Sequence, residues 1–508
     1  SKQEAWVNYD PLRLYASVMD SVSHRMLLAI AAAFGAFVES IDIQQAFLWG
    51  DIDEVIFVRL PPGVWSNKPG QVFQLRKSLY GTKQAPARWQ DNLRATLKLL
   101  GVTQSQCDSS VYFKRFDGCG FLLLGVHVDD FLVVCTSRSI LDKFKSDLKG
   151  VYALTDQGNI DNSEYLGVLT RYDRDARRAH LSNDRHVTQM LDAFGYQHAR
   201  PADSLAVVAA ERDNGPSPTS IHVNRLLGMA NYIAWSARPD IAMAVSRLSS
   251  ISHKDEPTVS DAFDIDRPPR HLRGAPKNTG LLFDAAPFDS PLAAITPVVY
   301  VDSDHKKSGD FKSRSGQVIY MCGAPVYWRS RLQKSIATSS CQAEIVAFSD
   351  VAKRAVWIRS LLLELGFVVP PIPIFEENQA CLKLVSGTGT SDATRQETWS
   401  EECLTECAAR LSDAMDLKIT DSNATGNGSY ASPGSVDFVP RTVTVDVETE
   451  IIFSGDGVHD RDTGAFLPSG DHSCMGAASA TASLSGAVVD RKMNITPSSA
   501  GTYKLCIK

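Results

Sequence analysis

A chain of 508 residues is too long for one hydrophobic core and predicts two to four domains. Its 44% hydrophobic and 22% charged residues are ordinary for a globular protein, and the apolar stretch Met26–Val38 is too short to span a bilayer, which argues against a membrane-spanning class. The net charge of −6 argues against nucleic acid only until its distribution is read: Ser386–Lys508 holds 17 acidic and 9 basic residues, leaving 41 acidic and 43 basic in the rest.

No basic region with a cleavage site opens the chain, which reads as no secretory signal, and the start at Ser1 reads as a fragment or processed piece. Ser21 or Ser23 is placed to cap a helix through Met26–Phe34. A short strand follows at Val38–Ile43, with Asp42 between two isoleucines, an acid either at a strand end or inside a site. Phe47 comes five residues later, then a loop with Pro61, Pro62 and Gly63 and a strand at Val72–Arg76. The segment LYGTKQAPARW, Leu79–Trp89, reads as a turn entering a helix to about Leu100. Gln71–Phe116 carries eight basic residues against two acidic ones, a pattern suited to a phosphate backbone or to a plain solvated face.

Gly120–Cys135, GFLLLGVHVDDFLVVC, is two strand-length apolar runs hinged on Asp129 and Asp130. Asp-Asp is not a preferred tight-turn pair, and adjacent carboxylates repel. Two readings stand on this stretch alone: a polar hairpin tip, or oxygen ligands for Mg²⁺ or Mn²⁺.

Helices are predicted at Ser139–Leu148, His186–Phe194, Asn224–Trp235 and Ile241–Ser249, with strands at Tyr165–Arg171 and Ala179–Leu181. The polar, Pro-rich Asp255–Lys277 reads as a linker. A second unit runs as strands Val298–Asp302, Gly316–Cys322 and Val326–Arg329. A capping box at Ser339–Gln342 then opens a helix to about Leu365 with Glu344 in its first turn, and a strand at Ile372–Phe375 ends at Glu376 and Glu377.

After Val385 the composition changes. Ser386–Ser400 is rich in Gly, Thr and Ser, and Cys403–Met415 reads as a short acidic helix. Val443–Val447, Ile451–Phe453 and the closing GTYKLCIK read as strands of an immunoglobulin-like sandwich in which Cys474 and Cys506 could pair. Asn423, Asn427 and Asn494 head glycosylation acceptor patterns, which suit a secreted domain although no signal precedes it, so a fusion or joined gene is the preferred account of the tail. Cys403 and Cys407 are four apart without a His partner, a weak zinc signal. Gly455–Gly464 resembles a Ca²⁺ loop without its final Glu, and P-loop, HExxH and GxSxG patterns are absent.

At IDIQQAFLWGDI, LRKSLYGTKQAPARW, VHVDD, EYLGV and LLGMANYIAWSARPDIAMAVSRLS the chain resembles the reverse transcriptase of copia-type LTR retrotransposons, and the resemblance extends through a ribonuclease H unit to cover roughly Tyr15–Val385. It implies an α+β architecture: a reverse-transcriptase palm at 1–180 without its fingers, a thumb or connection at 181–277, a ribonuclease H-like α/β domain at 278–385, a linker with a short helix at 386–422 and a β-rich tail at 423–508. Asp42, Asp129 and Asp130 match the family's palm carboxylates, which hold two Mg²⁺ (or Mn²⁺) ions for nucleotidyl transfer. Phe47 matches the bulky residue that excludes a ribose 2′-hydroxyl; Gln84 matches a nucleotide contact, with Lys83 and Arg88 adding positive charge. His127 stands where the family has Tyr, next to the primer end.

Asp302 and Glu344 match the first two ribonuclease H carboxylates, also metal ligands, and the third falls on Glu377 of FEENQ. The fourth has no Asp near Thr394–Thr398, and Glu397 is out of register, so ribonuclease H is expected to be impaired. The implied partners are an RNA template, a DNA primer, deoxynucleoside triphosphates, an RNA–DNA hybrid and the other Pol and capsid portions of the element, with no membrane. The implied location is the cytoplasm, in a virus-like particle, with the nucleus second. The contrasting reading is a catalytically inactive remnant that at most binds nucleic acid or is fused to a host protein.

Overall fold

The structure, a computed structural model, describes residues 14–59, 71–117, 120–202, 205, 223–251, 259–305, 312–385, 417–421, 437–439, 449–454, 463–468, 485–487, 492–495 and 503–507. Those up to 385, with 417–421, belong to one compact unit, and those from 437 onward to another.

Helix α1 (Ser21–Phe34) is the centre of the larger unit. From Met26 onward Met, Leu, Ile, Ala and Phe leave it no polar face, so it must be enclosed, and twelve of its fourteen residues are buried. Its cap is Asp20, neither Ser21 nor Ser23: the carboxylate accepts from the Val22 N–H at 2.8 Å, while the Ser23 hydroxyl donates to Asp108. Gly35, at φ +57°, ends the helix.

Strand β1 (Phe37–Ile43) leads through a hairpin of β2 (Phe57–Arg59) and β3 (Val72–Gln74) to α2 (Ala85–Leu99). Then come β4 (Thr103–Gln104), β5 (Val111–Arg115), β6 (Phe121–His127), β7 (Asp130–Cys135), α3 (Arg138–Lys149) and β8 (Leu154–Asn159). These make an antiparallel sheet in the order β4-β5-β6-β7-β1-β8, with β1 inside the sheet between β7 and β8 although first in sequence. Ile41, Phe131 and Val133 of the sheet share a buried core with Trp89 and Leu93 of α2 and with Leu141 of α3.

A second sheet holds β9 (Ser163–Tyr165), β10 (Val168–Asp173) and β11 (Arg178–Ser182). The single strand expected over Tyr165–Arg171 is broken, because Leu166 (φ +50°) and Gly167 (φ +75°) form a two-residue left-handed turn. Helices α4 (Asp184–Phe194), α5 (Val223–Ser236), α6 (Ala242–Ile251) and α7 (Val259–Gly274) follow. The linker expected over Asp255–Lys277 is thus largely a helix. Pro268 and Pro269 stand inside it, but Ile265 and Leu272, two turns apart, are buried against Leu226, Ile233 and Leu248, and that packing outweighs the lost backbone bonds. Strand β12 (Gly280–Asp284) pairs with β11 from Ser182↔Gly280 to Arg178↔Asp284, so residue 277 is not a break between independent sheets.

After α8 (Pro291–Ile295) come β13 (Val298–Asp304), β14 (Arg314–Met321) and β15 (Ala324–Leu332), an antiparallel meander, then α9 (Ser340–Glu364). β16 (Ile372–Glu376) runs parallel to β13, and after α10 (Gln379–Val385) β17 (Leu417–Asp421) runs parallel to β16, giving the order β15-β14-β13-β16-β17. The last strand lies where the sequence reads as linker. Ser339 caps α9 by accepting from the Gln342 N–H at 3.1 Å, as the capping box predicts, but Glu344 lies just beyond the first turn. Helix α9 docks on the first sheet: Glu364 accepts from the Ser105 hydroxyl and the Gln106 N–H, both at 2.6 Å, and the Trp357 indole donates to the Cys107 carbonyl.

In the smaller unit, β18 (Asp437–Val439), β19 (Thr449–Ser454), β20 (Thr463–Pro468), β21 (Ser485–Ala487), β22 (Lys492–Ile495) and β23 (Tyr503–Ile507) form two antiparallel sheets, β18-β19-β22 and β21-β20-β23. The expectations at Cys403, Cys407, Glu397, Asn423, Asn427, Cys474 and 443–447 lie outside the described residues. Among the described residues no helix is long and apolar enough to cross a membrane.

Candidate active site

The β6–β7 hairpin pairs as far as His127↔Asp130, so its two turn residues are Val128 and Asp129, one step earlier than the Asp-Asp hinge expected. Val128 takes φ +61°, a costly conformation for a β-branched residue. Two hydrogen bonds hold it there: the Trp89 indole N–H donates to the Val128 carbonyl at 2.7 Å, and the Ile43 N–H to that of Asp129 at 2.9 Å. In the β1–β7 register Asp42 stands opposite Asp130. Two strand ends and a turn therefore bring Asp42, Asp129 and Asp130 to one edge of the sheet, all half-buried.

Partial burial, with the charge of Asp129 adding to it, raises the carboxyl pKa of Asp42; burial, then Asp129 and Asp42, raises that of Asp130. Such crowded oxygens are the donor type that Mg²⁺ or Mn²⁺ takes. The side chains as they stand are not converged, however: among the described residues no three His, Cys, Asp or Glu are arranged to hold a metal ion.

Phe47 lies on a 3₁₀ turn (Ala46–Trp49), packed on the core of the first sheet, with its ring 4.7 Å from that of Tyr80. Burial, then Asp129 and Asp42, raises the Tyr80 phenol pKa, which puts this ring beside the carboxylates. Gly50 lets the 3₁₀ turn abut α2: a Cβ there would lie 2.9 Å from the Arg88 backbone. Gln84 is buried and donates to Glu54 at 3.0 Å; Arg88 pairs with Asp53 at 3.1 Å and Asp91 at 3.6 Å; Lys83 is exposed. The contacts of Gln84 and Arg88 thus run to the Asp53–Glu54 loop. His127 is half-buried, and desolvation lowers its pKa against the opposing pull of Asp129. His24 of α1 lies close to it, its own pKa pushed down to about 3 by burial, and its ring is 5.1 Å from that of Tyr165.

A second acidic cluster sits at the β13–β16 end of the five-stranded sheet. Asp302 is exposed, whereas Glu344 and Glu376 are buried, each with one carboxylate oxygen lacking a partner. Burial, with Glu376 next, pushes Glu344 up to about 8; burial, with Asp302 contributing, pushes Glu376 up to about 7. Glu377, the acid chosen by motif, is exposed, so the residue that faces the pair is Glu376. Strand alternation carried that signal: Ile372, Ile374 and Glu376 are the buried positions of β16. Tyr80 and His24 were likewise missed; Tyr80 lay inside a quoted motif, while nothing local marks His24.

These features are consistent with a reverse transcriptase domain, and residues 1–204 match the family described as reverse transcriptase (RNA-dependent DNA polymerase). The chain is 28% identical over 396 residues to the retrovirus-related Pol polyprotein from transposon TNT 1-94 of Nicotiana tabacum, covering 75% of this chain and 29% of that protein. The Pol polyprotein from transposon RE1 of Arabidopsis thaliana is 28% identical over 72% of this chain and 24% of its own length. The transposon Ty5-1 protein of Saccharomyces cerevisiae is 29% identical over 61% of this chain and 98% of its own length. The resemblance to a copia-type retrotransposon Pol polyprotein is thereby borne out, and the chain spans about a quarter of the length of the plant polyproteins it matches.

Proposed function

We propose that the chain is an RNA-directed DNA polymerase extending a DNA primer with deoxynucleoside triphosphates on an RNA template, with Asp42, Asp129 and Asp130 as its acidic centre. The observation that carries this is the β1–β7 register, which sets Asp42 opposite Asp130 beside the Asp129 turn, within a chain whose first 204 residues match the reverse transcriptase family. A pair of divalent cations, when bound, would activate the primer hydroxyl and stabilise the leaving pyrophosphate. The chain's own residues hold the carboxylates at one edge and place the Phe47–Tyr80 ring pair beside them.

The five-stranded sheet supports a ribonuclease H-like reading. Its three-strand meander, crossing helix and two further parallel strands set Asp302, Glu344 and Glu376 at one end of the sheet, near enough for their charges to act on one another, and we read them as the acidic centre of a site cutting the RNA strand of an RNA–DNA hybrid. Primer extension on an RNA template decides. Extension that needs Mg²⁺ or Mn²⁺ and vanishes in Asp129→Asn supports the polymerase; no extension by the unaltered protein overturns it.

A further inference from the structure

A basic surface joins two stretches that lie 70 residues apart in sequence, the loop after α4 and the last turns of α7. On α7, Ile265, Pro268, Pro269 and Leu272 are buried. Arg267, Arg270 and Arg273 recur at a spacing of three, which sets them side by side on the outer face of the helix. Their backbone and side-chain bonds lace the helix to the loop. The Arg270 Nε donates to the Arg200 carbonyl at 2.7 Å, the Ala202 N–H donates to the Arg270 carbonyl at 3.2 Å, and the Arg273 Nε donates to the Gln197 carbonyl at 2.5 Å. Arg200 is itself exposed, as is Lys277 just past the helix end.

Residues 196–202 and 266–277 together hold five basic side chains and one acid, in a protein whose net charge is −6. That acid, Asp266, is already engaged by Arg270 at 3.0 Å and by the Tyr196 phenol. Asp240, which meets His271 at 3.1 Å, is itself held by Arg238 at 2.5 Å. One acid cannot offset five cations, and like charges held this close repel, a cost that a polyanion laid across them removes.

The same residues discriminate among polyanions. An arginine anchored through Nε turns its Nη groups outward, the donors that grip phosphate oxygens. The Arg270–Asp266 pair is half-exposed and weak enough for a phosphate to replace. Three arginines over six residues of helix span about 9 Å, a length along which one strand of a duplex presents a phosphate about every 3.4 Å of axis. Among the described residues of 196–202 and 266–277 no Phe, Tyr or Trp is exposed, so an unpaired base finds no ring to stack on. Paired strands, which hide their bases and show their backbone, suit this surface better than a single strand.

We propose that Arg200, Arg267, Arg270, Arg273 and Lys277 form a docking surface for the phosphate backbone of a double-stranded nucleic acid, gripped without regard to sequence. The inference rests on the reading that the chain handles nucleic acid, and assigns it a duplex contact made of residues outside both acidic clusters.

Fluorescence anisotropy on the full chain tests it, in EDTA and without nucleotide, so that metal at the carboxylates contributes nothing. The probes are two labelled blunt RNA–DNA hybrids of unrelated sequence and labelled oligo-dT, with sedimentation of phosphatidylserine vesicles beside them. Two double variants are compared: Arg200→Gln with Lys277→Gln, which leaves the bonds between loop and helix in place, and Arg270→Gln with Arg273→Gln. Each should weaken both hybrids equally, by about fivefold or more, and lower the log–log salt slope by about 1.8, for two duplex phosphates. Oligo-dT should lose less than the hybrids. Arg270→Lys with Arg273→Lys, which keeps the charge, should keep the slope, and matching far-ultraviolet circular dichroism guards against misfolding. An unchanged hybrid slope in either Gln variant overturns the surface. So does a loss confined to one hybrid sequence, a loss for oligo-dT as large as for the hybrids, or vesicle binding that the variants abolish while hybrid binding stays. Primer extension by a protein whose hybrid slopes ignore these changes overturns this inference alone; hybrid binding that follows them in a protein without primer extension upholds it and overturns the polymerase reading.

Discussion

The indole N–H of Trp89, on helix α2, donates to the carbonyl of Val128 at 2.7 Å, tying a helix to the tip of the carboxylate hairpin. Trp89 is itself buried, its ring 5.3 Å from that of Tyr152. The bond fixes a residue whose φ of +61° would otherwise relax, and Asp129 follows it directly. A turn held against its own preference places a side chain more tightly than a relaxed one does.

Trp89→Phe keeps most of the ring packing but leaves the Val128 carbonyl without its donor. It should cost about 1–3 kcal/mol of stability and lower primer extension more than it changes nucleotide KM. Val128→Asn, which tolerates the left-handed region, should instead stabilise by about 1 kcal/mol. Urea unfolding of the three proteins checks both.

Glu344 and Glu376 carry folded-state pKa values near 8 and near 7, raised above those of an unfolded glutamate mainly by burial. A raised acid binds more protons folded than unfolded, so stability is greatest at low pH and declines as pH rises from about 4.5, where unfolded glutamates titrate. The metal-free protein should therefore melt at a lower temperature at pH 8 than at pH 5.5. Glu376→Gln should flatten that slope and Glu377→Gln, at an exposed position, should not. Any cleavage of hybrid RNA should fall about a hundredfold in Glu376→Gln and stay unchanged in Glu377→Gln, on the general sensitivity of reacting geometry to misplacement of about 1 Å. Thermal scans and a hybrid-cleavage assay read the two effects.

Local pattern made most of the helices legible, because α2, α3, α5 and α9 each carry an apolar stripe or a cap that sequence displays. Asp42, Asp129 and Asp130 could be chosen as a set because motif order named them, and the register then put Asp42 across from Asp130. What stayed hidden was decided by contacts distant in sequence or by single dihedrals. The prolines of α7 masked a helix whose warrant is burial of Ile265 and Leu272. The third acid of the second cluster shifted by one residue because motif alignment and strand alternation disagreed, and packing followed alternation. His24 comes near His127 from the first helix, across about a hundred residues of chain that no local pattern bridges.

Arg25 is fully buried: its guanidinium donates to the Val326 carbonyl at 2.7 Å and the Trp235 carbonyl at 2.9 Å and lies on the Trp235 and Trp328 rings. One side chain on α1 thus ties α5 and β15 together. Arg25→Met should cost about 3 kcal/mol, because two buried carbonyls lose charge-assisted donors. Arg25→Lys should recover little of it, since an ammonium cannot reproduce the fork or the stacking. Guanidinium unfolding measures the loss, and a second transition in Arg25→Met would show that α1, α5 and β15 no longer unfold together.

The Phe47 and Tyr80 rings, 4.7 Å apart, stand beside Asp42 and Asp129, where the sugar of an incoming nucleotide would lie under the proposed function. Phe47 packs on the core and, at its side, on Tyr80, contacts that oppose its swinging away from an added hydroxyl. Exclusion by a fixed apolar wall is steric, and removing such a wall is worth about 1–3 kcal/mol of discrimination, roughly 10- to 200-fold. Phe47→Ala should raise ribonucleotide incorporation relative to deoxynucleotide by that factor, while Phe47→Leu, which keeps most of the bulk, should change it less than tenfold. Tyr80→Ala should loosen the same wall from the side and give an intermediate value. Single-nucleotide incorporation, comparing kcat/KM for matched ribo- and deoxynucleoside triphosphates, measures all three. Equal ratios in Phe47→Ala and the unaltered protein would remove Phe47 from the sugar site.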